Sequence, residues 1–269
     1  MALGALGNGF GRLGAVPQAG SGVSPEVAQF LARTSGLNAL HVAAYTALID
    51  GLVEDGIWTL LDLLQVYATQ DQTTANLNLV SSSFTATPQG SPTWGADVGY
   101  TTAQNKYVQI GMAPNGGAQF TQNSAHISAW SGSTAATFYY VMMVETSSAA
   151  NQTKLLTRDM SGNASASIND SSVLGGLAVA DASGHYVVNR PDATTRQIYK
   201  NGSLLGEGTR ASLTPQSQTL TVGGSDATNG SRYAGITRAV SAGAELTPAQ
   251  VSAFYSRLAA YMLAIGASP

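Results

Sequence analysis

A mainly β protein, built as an antiparallel two-sheet jelly-roll sandwich with N-terminal helices and one C-terminal helix, is what this 269-residue sequence predicts. Three observations carry that reading. From about Leu61 onward the apolar runs are short and rich in hydroxyls, and Gly, Asn, Asp or Pro interrupts them about every 8–12 residues. The chain holds 28 Ser and 26 Thr, together a fifth of its residues, while charged residues make up only 10%, against about a quarter in ordinary globular domains. No β-α-β alternation and no glycine-rich strand-to-helix loop is present, which removes the parallel nucleotide-binding folds. An apolar content of 44% is enough to support a folded core.

The elements follow in order. Residues 1–22 contain seven glycines, whose spacing fits neither helix nor strand. They are expected to form a flexible docking arm in which Leu3, Leu6, Phe10 and Leu13 are the anchors on a particle. Residues 23–56 read as a helical segment. Ser24-Pro25-Glu26 combines a hydroxyl cap, a first-position Pro and a first-turn acid. A second helix follows Asn38, with Leu40, Ala44, Ala47, Leu48 and Leu52 at helical spacing and Gly56 at its end. His41 lies in its first turn and reads as structural, because metal sites need clusters.

Residues 57–269 read as the sandwich. Its clearest strands are Tyr107–Ile110, His126–Trp130, Phe138–Val144, His185–Asn189, Arg196–Lys200, Thr219–Val222 and Tyr233–Arg238. Asn201-Gly202 predicts a type I′ hairpin turn, since both central residues take positive φ. Thr247-Pro248-Ala249-Gln250 is a capping box that opens a helix over residues 248–265.

Composition also excludes functions. A net charge of −3 offers no basic face for nucleic acid. The absence of Cys removes disulfides, thiol catalysis and thiolate metal sites. No apolar run approaches a membrane span, and the N-terminus lacks the basic start and apolar stretch of a secretory signal. No serine sits in a Gly-x-Ser-x-Gly elbow, and no predicted strand carries the two acids that glycoside hydrolysis requires. The reading is therefore non-enzymatic, with no catalytic and no metal residues. His126 and His185 are expected as edge or half-buried sheet residues.

For sugar binding the aromatic candidates are Trp94, Tyr100, Trp130, Tyr139, Tyr186 and Tyr233, of which Trp94, Trp130 and Tyr139 lie on or beside strands and are expected in the core. The loops 147–153, 159–172 and 226–232 are the better surface, with Asp159, Asn163, Asn169, Asp170, Asp226 and Asn229 as candidate carbohydrate-binding residues.

Several segments resemble a known family. They are Arg33-Thr-Ser-Gly-Leu37, Ala44-Tyr45-Thr-Ala-Leu-Ile49, Leu63 to Gln70 and Asn76-Leu-Asn-Leu-Val-Ser-Ser-Ser-Phe84, then Gly184-His-Tyr186, Gln197-Ile-Tyr-Lys-Asn-Gly202, Val222-Gly-Gly224 and Leu246-Thr-Pro-Ala-Gln-Val251-Ser-Ala-Phe-Tyr255. Across residues 30–265 the chain is similar to phage, prophage and gene-transfer-agent proteins carrying a concanavalin A-like, laminin G-like jelly roll. The resemblance implies a structural protein of the virion surface (a head spike, tail fibre or decoration protein), made in the bacterial cytoplasm. Its implied partners are cell-surface polysaccharide, other virion structural proteins and further copies of itself, with no nucleic acid and no membrane. Calcium-dependent relatives use Asp/Asn loops; Asn169-Asp170 and Asp181 to Gly184 are the stretches to compare, and no cofactor is expected. Glycosidase relatives carry a Glu-x-Asp-x-Glu strand, whereas Val141 to Thr146 holds one acid, Glu145.

Overall fold

The computed structural model describes residues 23–137, 139–144, 151–224 and 233–267, and in it the helices begin at their caps. The Ser24 side chain accepts from the Val27 amide at the start of α1 (Pro25–Leu31), and Asn38 accepts from His41 at the start of α2 (Ala39–Glu54). A single turn, α3 (Gln72–Ala75), is capped by Asp71. Thr247 and Gln250 form the reciprocal capping box of α4 (Pro248–Ala264).

Fifteen strands complete the described residues. The first eight are β1 (Leu61–Val66), β2 (Thr87–Gln89), β3 (Thr93–Gly95), β4 (Gly99–Thr102), β5 (Tyr107–Gln109), β6 (Ala125–Ser131), β7 (Met142–Val144) and β8 (Gln152–Leu156). Then come β9 (Asn163–Asp170), β10 (Leu174–Ala178), β11 (Gly184–Arg190), β12 (Thr195–Lys200), β13 (Ser203–Thr209), β14 (Leu220–Val222) and β15 (Gly235–Gly243). The eight-stranded sheet runs β13-β12-β11-β6-β15-β4-β3, with β1 paired to the second half of β15. The seven-stranded sheet runs β10-β9-β8-β7-β14-β5-β2. All pairings are antiparallel, and the two sheets form a sandwich.

Alternation divides each strand between two environments. On β6, Ala125, Ile127 and Ala129 enter the core between the sheets, beside Val188, Val240, Val144 and Leu155. The opposite residues of the same sheet, Trp130, Val187 and Ala239, join Phe254, Leu258, Tyr45 and Leu48 beneath α2 and α4. The central strands β6 and β11 of the eight-stranded sheet are thus buried on both faces, whereas its edge strands β13 and β3 are partly exposed, and the molecule has three layers. Each fully buried Val, Leu, Ile, Phe or Met side chain contributes about 1.5–3 kcal/mol.

Under α4 the indole of Trp130 stacks on His185 at 5.6 Å and on Tyr255 at 5.7 Å, while Phe254 meets His185 edge-on at 5.2 Å. The Asn201-Gly202 turn has φ of 50° and 78°, as a type I′ turn requires. Asn201 ties this turn to β11, its side-chain oxygen accepting from the His185 amide at 2.9 Å. Arg33 fastens α1 to the segment after α3, donating to the carbonyls of Asn78, Leu79 and Ser81 at 2.6–2.7 Å.

Three expectations are corrected. Residues 159–172 are not an exposed loop: most of the stretch is β9, whose Ala164, Ala166 and Ile168 enter the inter-sheet core. Small side chains made a buried strand read as a turn. The strand expected over Phe138–Val144 is confined to Met142–Val144, Phe138 itself lying outside the described residues. His126 and His185 lie on the central strands β6 and β11 and are fully buried.

Burial pushes the His126 imidazole down to about 4, against the hydrogen bond with the Ala244 carbonyl. Burial, then the neighbouring His126, pushes His185 down to about 3. Both folded values lie below the unfolded value of about 6.5, so below that pH the unfolded chain binds more protons, and stability falls with falling pH. Between pH 7 and pH 5 each histidine is expected to remove about 2 kcal/mol. Urea titrations at the two pH values check this: His185→Phe, which keeps the ring stack, should flatten the pH dependence by about that amount. Equal pH dependence in the two proteins would contradict it.

Candidate functional site

Four of the candidate carbohydrate-binding residues fall at opposite ends of the sandwich, Asp159 and Asn163 at one and Asn169 and Asp170 at the other. Where β6 ends and β11 begins, three loops are knitted by backbone bonds: Thr137 to Arg158 at 2.9 Å, Ala182 to Thr134 at 3.2 Å and Val179 to Gly162 at 2.9 Å. Asp159 and Asn163 belong to this rim. One Asp159 side-chain oxygen accepts from the amides of Ser161 and Asn163, both at 2.8 Å, and holds the turn before β9. Asp181 accepts from Ser183 and from Lys200, and those bonds, Ser183 first, hold its carboxyl below the usual range despite opposing burial.

The rim presents apolar and aromatic surface beside these polar groups. Tyr139 is 37% exposed and Met160 is 60% exposed. Next to Tyr139, the Tyr140 ring receives the Lys154 ammonium at 4.4 Å from its centroid. Lys154 lies on β8 between Thr153 and the inter-sheet core residue Leu155, so its side chain leaves the seven-stranded sheet on the outer face. Only 8% of it is exposed, and it has no carboxylate partner among the described residues. A buried-stem cation beneath an aromatic ring fixes that ring on a rigid sheet. Sequence reasoning missed Tyr140 and Lys154, because their contact joins the end of an irregular segment to a strand that the sequence did not reveal.

At the opposite end, Asn169 and Asp170 are buried and engaged internally. The Asn169 amide group donates to the carbonyls of Thr121 and Gln122 at 3.0 and 3.2 Å. Asp170, 0% exposed, meets Arg196 at 2.6 Å and Arg190 at 3.3 Å. Asp226 and Asn229 lie outside the described residues, as do the docking residues Leu3, Leu6, Phe10 and Leu13. Trp94 packs against the inter-sheet core, its indole donating to the Tyr67 carbonyl at 2.9 Å. Tyr100, Trp130, Tyr186 and Tyr233 are buried.

Several chemistries can be weighed on this geometry. The described residues hold no group of three or more His, Asp or Glu placed to bind a metal. Neither loop compared with calcium relatives fits that ion, because Asp170 faces arginines and Asp181 faces Lys200. His126 lies 3.0 Å from Ser241, which meets Ser128 at 2.6 Å. That Ser–His chain is buried in the sheet, and its second ring nitrogen meets a backbone carbonyl, that of Ala244, in place of a carboxylate. His41, buried on α2, is held by Asn38 at 3.0 Å and Asp97 at 2.8 Å, a structural role. A groove of about 110 Å³ between α2 and α4 is lined by Ala44, Ala47, Leu48, Ala260, Ala264 and Tyr261, with Arg257 taken by Asp55 and Glu54. No helix among the described residues is long and apolar enough to cross a membrane.

No family model matches the sequence, and no curated protein matches it. Among solved structures the chain is similar to domain 4 of AbnA, a GH43 extracellular arabinanase from Geobacillus stearothermophilus, in complex with arabinotriose. That likeness has 13% identity and a TM-score of 0.52 over 72% of this chain and 97% of that one. The botulinum neurotoxin serotype G binding domain gives 11% identity and a TM-score of 0.51, over 73% of this chain and 50% of that one. The serotype D binding domain gives 11% and 0.50, over 74% and 52%. The chain thus spans about half the length of those two structures. At such identities the likeness defines the class of fold, a jelly-roll sandwich.

The two ends should respond differently to loss of an acid. Asp170→Ala leaves Arg190 and Arg196 buried without their carboxylate and is expected to cost about 3–5 kcal/mol in urea unfolding. Asp159→Ala removes turn-capping bonds and is expected to cost about 1 kcal/mol. Similar losses at both positions would contradict the assignment of Asp170 to the structural network.

Proposed function

We propose that the protein is a non-enzymatic binding domain that recognises carbohydrate through the rim of residues 133–137, 139–140, 157–163 and 179–183. The observation that carries this reading is the Tyr140–Lys154 pair, with Tyr139 exposed beside it. Sugars offer apolar ring faces and many hydroxyls, which suit an oriented aromatic ring bordered by carboxylate and amide groups. The solved neighbours support the reading: one was determined in complex with arabinotriose, and two are toxin binding domains. The absence of catalysis is part of the proposal. The two rim acids of the described residues, Asp159 and Asp181, are engaged in turn bonds and an ion pair and are not poised as an acid–base pair.

The finer reading places this domain on the surface of a phage-like particle, attached through residues 1–22 and facing cell-surface polysaccharide. It is supported by the sequence resemblance and by the four large apolar residues of a glycine-rich arm. A purely structural decoration protein that binds no ligand is the alternative to it.

Binding to an array of bacterial and plant-type polysaccharides tests the first reading. The parent should bind at least one glycan without releasing reducing sugar, and Tyr140→Ala should weaken binding about 10–100-fold, as loss of about 1.5–3 kcal/mol implies. Retained binding in Tyr140→Ala and Tyr139→Ala would move the site elsewhere; time-dependent depolymerisation would overturn the non-enzymatic reading. Removal of residues 2–22 should leave glycan binding intact and abolish incorporation into particles.

A further inference from the structure

The end of the sandwich opposite the rim carries an imbalance of charge. Among the described residues, Asp170 is the one carboxylate within 4.0 Å of Arg190, Arg196 and Arg210. One of its oxygens receives Arg196 at 2.6 Å and Arg190 at 3.3 Å, and the other accepts the Ser172 amide at 3.0 Å. Arg190 is fully buried and spends its remaining donors on the carbonyls of Ile168 at 2.8 Å and Arg210 at 3.1 Å. Arg196 also donates to the Ser172 carbonyl at 2.7 Å, and its Nε has no partner among the described residues.

Arg210 is different. Its backbone is fixed, the amide donating to Thr194 at 2.7 Å and the carbonyl accepting from Arg190. Its side chain is 53% exposed and stands 3.9 Å from Asp170, beyond hydrogen-bond distance. Nη2 donates to Ser171 Oγ at 2.9 Å, and Nη1 has no acceptor among the described residues. The nearby Asp192 turns one oxygen inward to the amides of Thr194 and Thr195, both at 2.7 Å. Three guanidinium groups therefore surround one carboxylate, and the outermost is anchored, exposed and incompletely paired.

We propose that this end of the sandwich binds an oxyanion carried by a saccharide, a hexuronate carboxylate or a sulfate ester, with Arg210 as the primary contact and Ser171 beside it. A guanidinium fork matches either group through two parallel hydrogen bonds. A polyphosphate chain is a poor match, since the protein carries a net charge of −3 and this end exposes one fixed arginine. The ligand class rests on the carbohydrate-binding reading; the anion site does not, because a free oxyanion probes it directly.

The experiment uses the full chain labelled with nitrogen-15 and follows the arginine Nε–Hε signals. Sodium sulfate and a short oligogalacturonate are titrated separately, each against sodium chloride at equal ionic strength. The Arg210 signal should move saturably with at least one of the two. A response to oligogalacturonate identifies the carboxylate as the group bound; a response to sulfate alone identifies the sulfate group. Arg210→Gln should weaken the responding ligand about 10–100-fold, as loss of a charge-assisted pair implies, with a melting temperature within about 2 °C of the parent. No saturable shift beyond chloride, or equal affinity in Arg210→Gln, would overturn the proposal. The glycan recognised at the rim, titrated into the same samples, reports on the Tyr140 site separately, so failure at either end is distinguishable from failure at the other.

Discussion

The structure depends on one constraint: the eight-stranded sheet must be covered on both faces. Its inward residues are covered by the second sheet, and its outward residues, Trp130, Val187 and Ala239 among them, need the helical layer. Once α2 and α4 occupy that face, it is closed to ligands. The ends of the strands remain for recognition, because the outward residues of the seven-stranded sheet, Met143, Lys154, Ser167 and Thr221, are themselves buried. Position of function here follows from which hydrophobic surface had to be buried first.

Polar residues inside that layer show how strict the closure is. His185 lies between Trp130 and Phe254 with neither ring nitrogen bonded among the described residues, while His126 is satisfied by Ala244 and Ser241. A neutral imidazole is tolerated there as an aromatic ring; a charged one is not. The Asp170 network makes the opposite compromise. It places charge inside the fold and satisfies it with arginines and backbone carbonyls, which leaves an excess of positive charge that emerges at Arg210.

The helices were the most legible part of the sequence, because Ser24, Asn38 and the Thr247–Gln250 box act through local bonds. The Asn201-Gly202 turn was legible for the same reason. Strands with large apolar residues, such as β6 and β11, were found to within a residue or two. Those made of small or polar residues were not: Asn163–Asp170 and Leu174–Ala178 lack an apolar alternation of large residues and owe their strand structure to pairing with each other and with β8. The candidate site was legible only in part. Asp159 and Asn163 mark the rim, but nothing local distinguishes them from Asn169 and Asp170, which have the same turn-forming chemistry and lie buried at the other end. The Tyr140–Lys154 contact spans two elements and has no sequence signature at all.

Native-state hydrogen exchange tests the division between a sealed sheet and a recognition rim most directly. Amides of β6, β11 and the second half of β15 should exchange slowest, through global unfolding, because both faces of those strands are covered. Amides in 133–137 and 157–162 should exchange at least about 100-fold faster, through local opening that leaves the sheet intact. Rim amides as slow as those of β6, or β6 amides that open locally while α4 is in place, would contradict the account.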